Sequence, residues 1–227
     1  MSDETEEQKK LMRQIDISCV QAFHTMDEID AMVELAKKYR LAAVFTLPAF
    51  SAHVAERLQD TREIHAGGVV SFPGGGDTTG QKKRQAKDCG GWLPGNRHGD
   101  ESYGIQKPRI FLCKRELLAI REQVPSAIFK VIIEAPQLTE QEICQAVDLC
   151  VKGRADYVKT STGWYPGCPS TVEQVRIMSR EAAGRIQIKA AGGIRSLETI
   201  QEMQKAGCSR FGMGMRSVQN LIKSIYK

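Results

Sequence analysis

The chain has 227 residues, an apolar fraction of 41% and a formal net charge of +5. This length suits a single α/β domain, and the regular mixture of apolar and charged residues excludes a disordered or repetitive protein. The basic residues are spread over many segments without a basic-aromatic stripe or a nucleic-acid-binding motif, so we expect no nucleic-acid partner and favour a small anionic metabolite.

The cysteines and the start of the chain predict a cytoplasmic location. The seven cysteines are odd in number and irregularly spaced, which argues against a disulfide scaffold and favours a reducing compartment. Residues 1–12 are expected to form a polar leader without the apolar core of a signal peptide. No stretch approaches the roughly 18 apolar residues of a membrane span, so no membrane association is expected.

From Ile15 onward, short apolar runs alternate with amphipathic stretches. The predicted strands are 15–20, 41–47, 67–72, 129–134, 157–162, 186–191 and 210–212, and the predicted helices are 25–39, 49–58, 140–152, 171–183 and 197–206. This alternation indicates parallel βα units with right-handed crossovers. It predicts a single-domain α/β TIM (β/α)8 barrel over 1–227, with one strand unreadable. An open doubly wound sheet is the alternative, although no G-x-G-x-x-G motif follows the first strand.

The aberrant segment 89–113 occupies the place where the fourth strand is expected. It reads CGGWLPGNRHGDESYGIQKPRIFLC and shows no helical or strand period before Ile110. A long structureless loop inside a compact domain counts against an assignment that needs it. The sequence therefore leaves the fourth βα unit unexplained.

Two lysines lie inside predicted strands. Lys159 stands in DYVKTSTGW at 156–164, and Lys189 stands in QIKAAGGIR at 187–195. A surface lysine has a pKa of about 10.4, whereas burial and a neighbouring cation lower that pKa and expose a nucleophilic amine. We expect neither a metal nor a cofactor, because the cysteines form no C-x-x-C pair and no metal-ligand spacing is present among the histidines, which are His24, His53, His65 and His98.

These two lysine segments resemble the signature strands of deoxyribose-phosphate aldolase, a class I Schiff-base aldolase on a TIM barrel. KVIIEAPQLT at 130–139 is similar to the family's fifth strand, and VVSFPGGGDTT at 69–79 is similar to its third strand and following loop. The resemblance covers the chain from Ile15 to about Gly214. It implies a lyase of deoxyribonucleotide catabolism that interconverts 2-deoxy-D-ribose 5-phosphate with D-glyceraldehyde 3-phosphate and acetaldehyde. It also implies a possible homodimer.

The resemblance assigns the expected catalytic residues. Lys159 would form the Schiff base, and Lys189 would lie beside it, lowering its pKa by like-charge repulsion or transferring protons. Asp16, on the first strand, would belong to the polar network of the site, although a role as a capping carboxylate at a strand end is equally open.

The expected phosphate-binding residues are Thr160, Gly192, Gly193 and Arg216. The Gly192–Gly193 turn can present backbone N–H groups to a phosphate, as loops after late barrel strands often do. The family pattern has serines after strand eight, whereas this chain reads GMGMRS at 212–217. This difference leaves open a related lysine-dependent aldolase that acts on another sugar or sugar phosphate.

The family's fourth strand, roughly E-I-D-M-V-x-N, carries a proton-relay aspartate that 89–113 lacks. Asn96 to Ser102 can be encoded as AAT CGA CAT GGT GAT GAA TCT, which read one base later gives Ile-Asp-Met-Val-Met-Asn. We hypothesise that two compensating frameshifts altered this segment, with a true insertion or a divergent loop as the alternative. For the chain as written, a further alternative is an inactive remnant that binds a sugar phosphate.

Overall fold

Eight parallel strands close into a barrel. The computed structural model describes the backbone of residues 5–91, 100–104 and 110–226 and the side chains of 5–89 and 114–226. Each strand pairs with its neighbours in chain order, and β8 pairs with β1. The predicted barrel is confirmed, and the open doubly wound sheet is wrong. The strands are β1 Ile15–Cys19, β2 Ala43–Thr46, β3 His65–Val70, β4 Asp100–Gly104, β5 Ile128–Ile132, β6 Tyr157–Lys159, β7 Gln187–Ala191 and β8 Arg210–Gly214.

Helices follow the strands on the outside of the barrel. Several begin with a capping box, as at Thr25, Thr139 and Thr171. The threonine hydroxyl accepts a hydrogen bond from the N–H of the third helical residue, and the side chain of that residue accepts one from the threonine N–H. The helices are α1 Glu6–Met12, α2 Met26–Tyr39, α3 Pro48–Arg57, α4 Thr79–Gly91, α5 Ile110–Arg121, α6 Glu140–Lys152, α7 Val172–Ala182, α8 Leu197–Lys205 and α9 Met215–Ile225, with a short 3₁₀ helix at Ala135–Gln137. Among the described residues, no helix has the length and apolar character needed to cross a membrane.

The polar leader ends in a helix that sequence analysis missed. Thr5 caps α1 through a capping box with Gln8, and Met12 is fully buried in the core. Apolar residues occur only in the last turn of this helix, at Leu11 and Met12, so no apolar period was visible. The capping residues were the available signal.

The fourth strand is present where the sequence showed none. β4 pairs in parallel with β3, where Gly67 is opposite Asp100, and with β5, where Gly104 is opposite Ile132. Without β4, the edges of β3 and β5 would keep unpaired backbone groups, so closure of the barrel outweighs the weak strand propensity of these residues. The frameshift hypothesis for 89–113 falls mostly outside the described residues and stays a hypothesis.

Alternation of side chains along the strands separates two layers. Ile17, Val44 and Phe211 pack into the core between the strands and the helices. Asp16 and Phe45, one residue away on the same strands, are also buried but belong to the interior of the barrel. The interior therefore carries the polar and charged groups that form the site.

Candidate active site

A pocket of about 330 Å³ opens at the carboxyl ends of the strands. This is the end of a TIM barrel at which the βα loops lie. Asp16, Lys159 and Lys189 line the pocket together with the loops that follow β6, β7 and β8, including residues 162–164, 192–195 and 214–217. The structure thus brings together most of the residues that the sequence singled out.

Lys159 is the last residue of β6, with Ile132 and Lys189 as its neighbours on the adjoining strands. Only 9% of its surface is exposed. Burial lowers the pKa of Lys159 to about 8, and the Lys130 ammonium also lowers it, while Asp16 and Glu134 act in the opposite direction. A pKa lowered by burial and a neighbouring cation was expected; burial is the largest cause and Lys130 is a cation that contributes, whereas the expected contribution of Lys189 stays a prediction.

Asp16 is the centre of a buried ionic network. Its carboxylate accepts hydrogen bonds from Lys130 Nζ at 3.0 Å, from Arg210 Nε at 2.7 Å and from Lys189 Nζ. Burial acts to raise the pKa of Asp16, but these three cations hold it well below its usual range. Asp16 is 1% exposed, so the structure places it inside the polar network and not at a solvated strand end.

Lys189 is also buried, beside Asp16. Burial lowers its pKa well below the ordinary value, the Asp16 carboxylate raises it, and the Lys130 and Lys159 cations lower it further. Because Lys189 is held by Asp16 whereas Lys159 has no hydrogen bond or ion pair to any described residue, the two lysines differ in their freedom to react. Both lysines line the pocket, and Lys159, at 9% exposed against 1% for Lys189, is the more accessible.

Lys130 is a residue of the site that sequence analysis missed. It lies in the middle of β5, is fully buried and binds Asp16. The available signal was a third lysine inside an apolar strand, in the run KVIIE at 130–134. A buried lysine needs an anionic partner, and the buried aspartate on the first strand supplies one.

Thr160 does not line the pocket, contrary to expectation. β6 ends at Lys159, one residue before it. The Thr160 hydroxyl is fully buried, donates to the carbonyl of Ala191 at 3.0 Å and accepts from the N–H of Ala191 at 2.9 Å. Ser170 donates to it as well, at 2.7 Å. These bonds join the end of β6 to the end of β7, so Thr160 holds the backbone that positions the site.

Gly192 and Gly193 line the pocket with φ of +90° and +79°. A Cβ atom on Gly192 would lie 2.3 Å from Ser161 Oγ, and one on Gly193 would lie 2.5 Å from Pro169 Cβ. Both positions therefore require glycine. Arg195 and Arg216 also line the pocket and are exposed, so one cation lies in the loop after β7 and another in the first turn of α9.

Glu134 supports the loop after β6. Its carboxylate accepts from the N–H of Thr162 at 3.0 Å, and it is buried with φ of +53°. A non-glycine residue in this region is strained and needs compensating contacts. Next to this loop, the Trp164 and Phe72 rings pack edge to face with centroids 5.8 Å apart.

Within the described side chains, no cluster of three His, Cys, Asp or Glu residues could hold a metal ion.

Comparisons with known proteins identify relatives over nearly the whole chain. The deoxyribose-phosphate aldolase of Klebsiella pneumoniae is 35% identical over 221 residues, which cover 95% of this chain and 88% of that protein. A solved structure described as QR15, an aldolase, has a TM-score of 0.85 at 29% identity and covers 100% of this chain and 97% of its own. The tetrameric deoxyribose phosphate aldolase of Aeropyrum pernix has the same fold, with a TM-score of 0.85 at 22% identity over 96% of this chain and 92% of its own. No family model matches.

Proposed function

The chain belongs to the deoxyribose-phosphate aldolase family, and we propose that it interconverts 2-deoxy-D-ribose 5-phosphate with D-glyceraldehyde 3-phosphate and acetaldehyde through a Schiff base on Lys159. The observation that carries the proposal is the position of Lys159. Its amine lines the pocket, is nearly buried and has a pKa lowered to about 8. A lysine in that condition supplies a neutral, nucleophilic amine near neutral pH.

In the synthetic direction, the neutral Lys159 amine adds to the carbonyl carbon of acetaldehyde to give a carbinolamine, which takes up a proton and loses water to give a protonated imine. The imine accepts the electron pair of a methyl C–H bond when that proton leaves, which forms an enamine. The enamine carbon attacks the aldehyde carbon of glyceraldehyde 3-phosphate, whose oxygen takes up a proton. Water then hydrolyses the imine and restores the amine. Lys189, hydrogen-bonded to Asp16 at the pocket wall, is the proposed proton-transfer group.

For the phosphate, we assign the loops after β7 and β8. Gly192 and Gly193 approach the pocket through their backbone, which leaves N–H groups available for a phosphate. Arg216 lies in the first turn of α9 and lines the same pocket. An arginine and a helix start both favour an anion. Thr160 is not part of this assignment.

A related lysine-dependent aldolase on another sugar or sugar phosphate is the second candidate. Gly214 ends β8 and Met215 begins α9, near the place where the family pattern has serines, and both line the pocket. Removal of hydroxyls changes which polar groups of a substrate are satisfied. A homodimer and a cytoplasmic location remain predictions.

Cleavage of 2-deoxyribose 5-phosphate tests the proposal. Acetaldehyde release is measured for the wild type, for Lys159→Met and for Lys152→Met, which changes an exposed lysine on α6. We expect release by the wild type and by Lys152→Met and none by Lys159→Met. Release by Lys159→Met at the wild-type rate would overturn the assignment of the nucleophile. A wild type that cleaves other deoxysugars but not this one would favour the second candidate.

A further inference from the structure

The buried network carries more positive than negative charge. One carboxylate, Asp16, faces Lys130, Lys189 and Arg210 inside the barrel. Lys159 adds a further ammonium at low pH, and Glu134 adds a carboxylate near the end of β5. Excess charge in a buried site must be compensated by polar or polarisable partners. The side chains of β4 lie outside the described residues. On the other seven strands, aromatic rings act as polarisable partners of the buried lysines.

The aromatic ring of Phe45 lies against two of these cations. Its centroid is 4.5 Å from Lys189 Nζ and 5.0 Å from Lys130 Nζ. Both distances are within the roughly 6 Å over which an aromatic face attracts an ammonium ion. Tyr157 is a second aromatic partner of Lys130, at 5.5 Å. Among the described residues, Phe45 is the aromatic residue that contacts both lysines bound to Asp16.

The position of the Phe45 ring is fixed by the neighbouring strand. Phe45 on β2 is directly opposite Gly67 on β3. A Cβ atom at Gly67 would lie 2.5 Å from the ring carbon Cε1 and 2.7 Å from Cδ1 and Cζ. Gly67 therefore provides the space for the ring, which is 4% exposed and lines the pocket that Lys159 also lines.

We propose that Phe45 is a positioning residue for imine formation: its ring packs against the Nζ atoms of Lys130 and Lys189, keeps both lysines on Asp16 and keeps water out of the barrel interior, so that Lys159 is the lysine that reacts. The catalytic consequence rests on the proposed function, whereas the contacts of the ring do not. An aromatic face attracts an ammonium ion placed over it, so the ring strengthens the hold of Asp16 on the two lysines. The charged Lys130 in turn helps to keep Lys159 neutral.

Removal of the Phe45 ring is expected to raise the pKa of Lys159. Without the ring, water enters the space beside Lys130 and Lys189 and loosens their contacts with Asp16. Water that enters the space also reduces the effect of burial on Lys159. Asp16 and Glu134 still favour the charged form of Lys159, and Arg210 remains fixed on Asp16. Because burial is the largest cause of the low pKa of Lys159, we expect that pKa to rise, by about one unit.

Competitive acetylation against pH, followed by peptide mass mapping, measures the pKa of Lys159 without any need for aldolase turnover. The variants are Phe45→Leu and Phe45→Met, which keep an apolar side chain of similar volume. The control is Val44→Ala, on the same strand but facing the helices. We expect both Phe45 variants to shift the midpoint of Lys159 labelling upward by about one pH unit, and Val44→Ala to leave it unchanged.

A midpoint that stays in place in either folded Phe45 variant would overturn the proposal, as would an equal shift in Val44→Ala, because the ring would then be ordinary packing. If Val44→Ala folds and neither Phe45 variant does, Phe45→Tyr tests the proposal instead. The ring-retaining variant must fold and keep the wild-type midpoint for the proposal to stand. Acetaldehyde trapping by the wild type is scored separately, so that failure of the proposed aldolase activity is distinguished from failure of the role of Phe45.

Discussion

At the residue scale, Lys159 has a pKa of about 8 for a physical reason that pH can test. Burial disfavours its ammonium form, so the neutral amine becomes abundant above pH 8 rather than above the ordinary 10.5. We expect the rate of imine formation with acetaldehyde to rise about tenfold per pH unit below pH 8 and to level off above it. The measurement is borohydride trapping against pH, with the extent of modification at Lys159 read by mass spectrometry. A midpoint near pH 10 would contradict a buried nucleophile.

Asp16 tests the stability of the network. Asp16→Asn leaves the buried cations Lys130, Lys189 and Arg210 without their shared carboxylate. Breaking a buried ion pair from one side typically costs about 3 to 5 kcal/mol. We expect a fall of that size in the free energy of unfolding, measured by urea denaturation at pH 7.

The matched control is Asp148→Asn, which removes ion pairs with Lys152 and Arg185 at a partly exposed position on α6. Its expected cost is below about 1 kcal/mol. The pH dependence of stability adds a second check, because the pKa of Asp16 is depressed in the folded chain. The contribution of Asp16 to the free energy of unfolding is complete above its unfolded pKa of about 3.9 and is lost as the pH falls below that value. Equal losses in the two variants would show that the network around Asp16 adds no stability beyond a surface pair.

At the scale of elements, the turn after β7 controls the shape of the pocket. Gly192→Ala places a Cβ atom 2.3 Å from Ser161 Oγ and forces alanine to a φ of +90°. We expect this variant to lose about 2 to 5 kcal/mol of unfolding free energy, the sum of left-handed strain and overpacking, and to trap less acetaldehyde.

Gly184→Ala is the control for the strain alone. Gly184 has a φ of +75°, and no atom lies within 4 Å of the added Cβ. Its expected cost is therefore about 1 to 2 kcal/mol, without an effect on trapping. Thermal or urea unfolding of both variants separates the two contributions. Identical losses would mean that the contact with Ser161 does not constrain the turn.

The sequence predicted the elements whose own residues specify them. The apolar run with Lys189 gave β7 almost to the residue, and the amphipathic pattern of 140–152 gave α6 with its observed bounds, Glu140–Lys152. The structure adds the capping box of Thr139 and Glu142 at the start of α6. β4 could not be predicted, since its pairing comes from the neighbouring strands and not from its own propensity. In the site, the sequence predicted Lys159 and Lys189. It could not predict the ion pair of Lys130 with Asp16, because these residues are 114 positions apart and only the fold brings them together.

At the scale of the whole molecule, the barrel closes although the fourth strand does not carry the family's aspartate motif. β4 completes the barrel at Asp100–Gly104, yet the family's strand-four motif, E-I-D-M-V-x-N with its proton-relay aspartate, is absent from the written sequence of 89–113. General acid-base assistance contributes about 10² to 10⁴ in rate. We therefore expect a chain verified as written to turn over at least that much more slowly than its relatives, measured as acetaldehyde release. Turnover at an ordinary family rate by the verified chain would contradict this expectation.

Peptide mapping of 89–113 decides between the two origins of that segment. A peptide that reads Ile-Asp-Met-Val in place of part of Asn96–Ser102 would support the frameshift hypothesis and restore the aspartate. The written peptide would mean that the barrel closes with a divergent fourth strand.

The central claim is that Lys159 forms the Schiff base. The most direct measurement is borohydride reduction of the full-length chain in the presence of acetaldehyde, with the modified peptide identified by mass spectrometry. We expect one reduced two-carbon adduct, on Lys159, and none on Lys130 or Lys189, which are held by Asp16. An adduct on Lys189 with Lys159 unmodified, or no adduct on any lysine of the pocket, would contradict it.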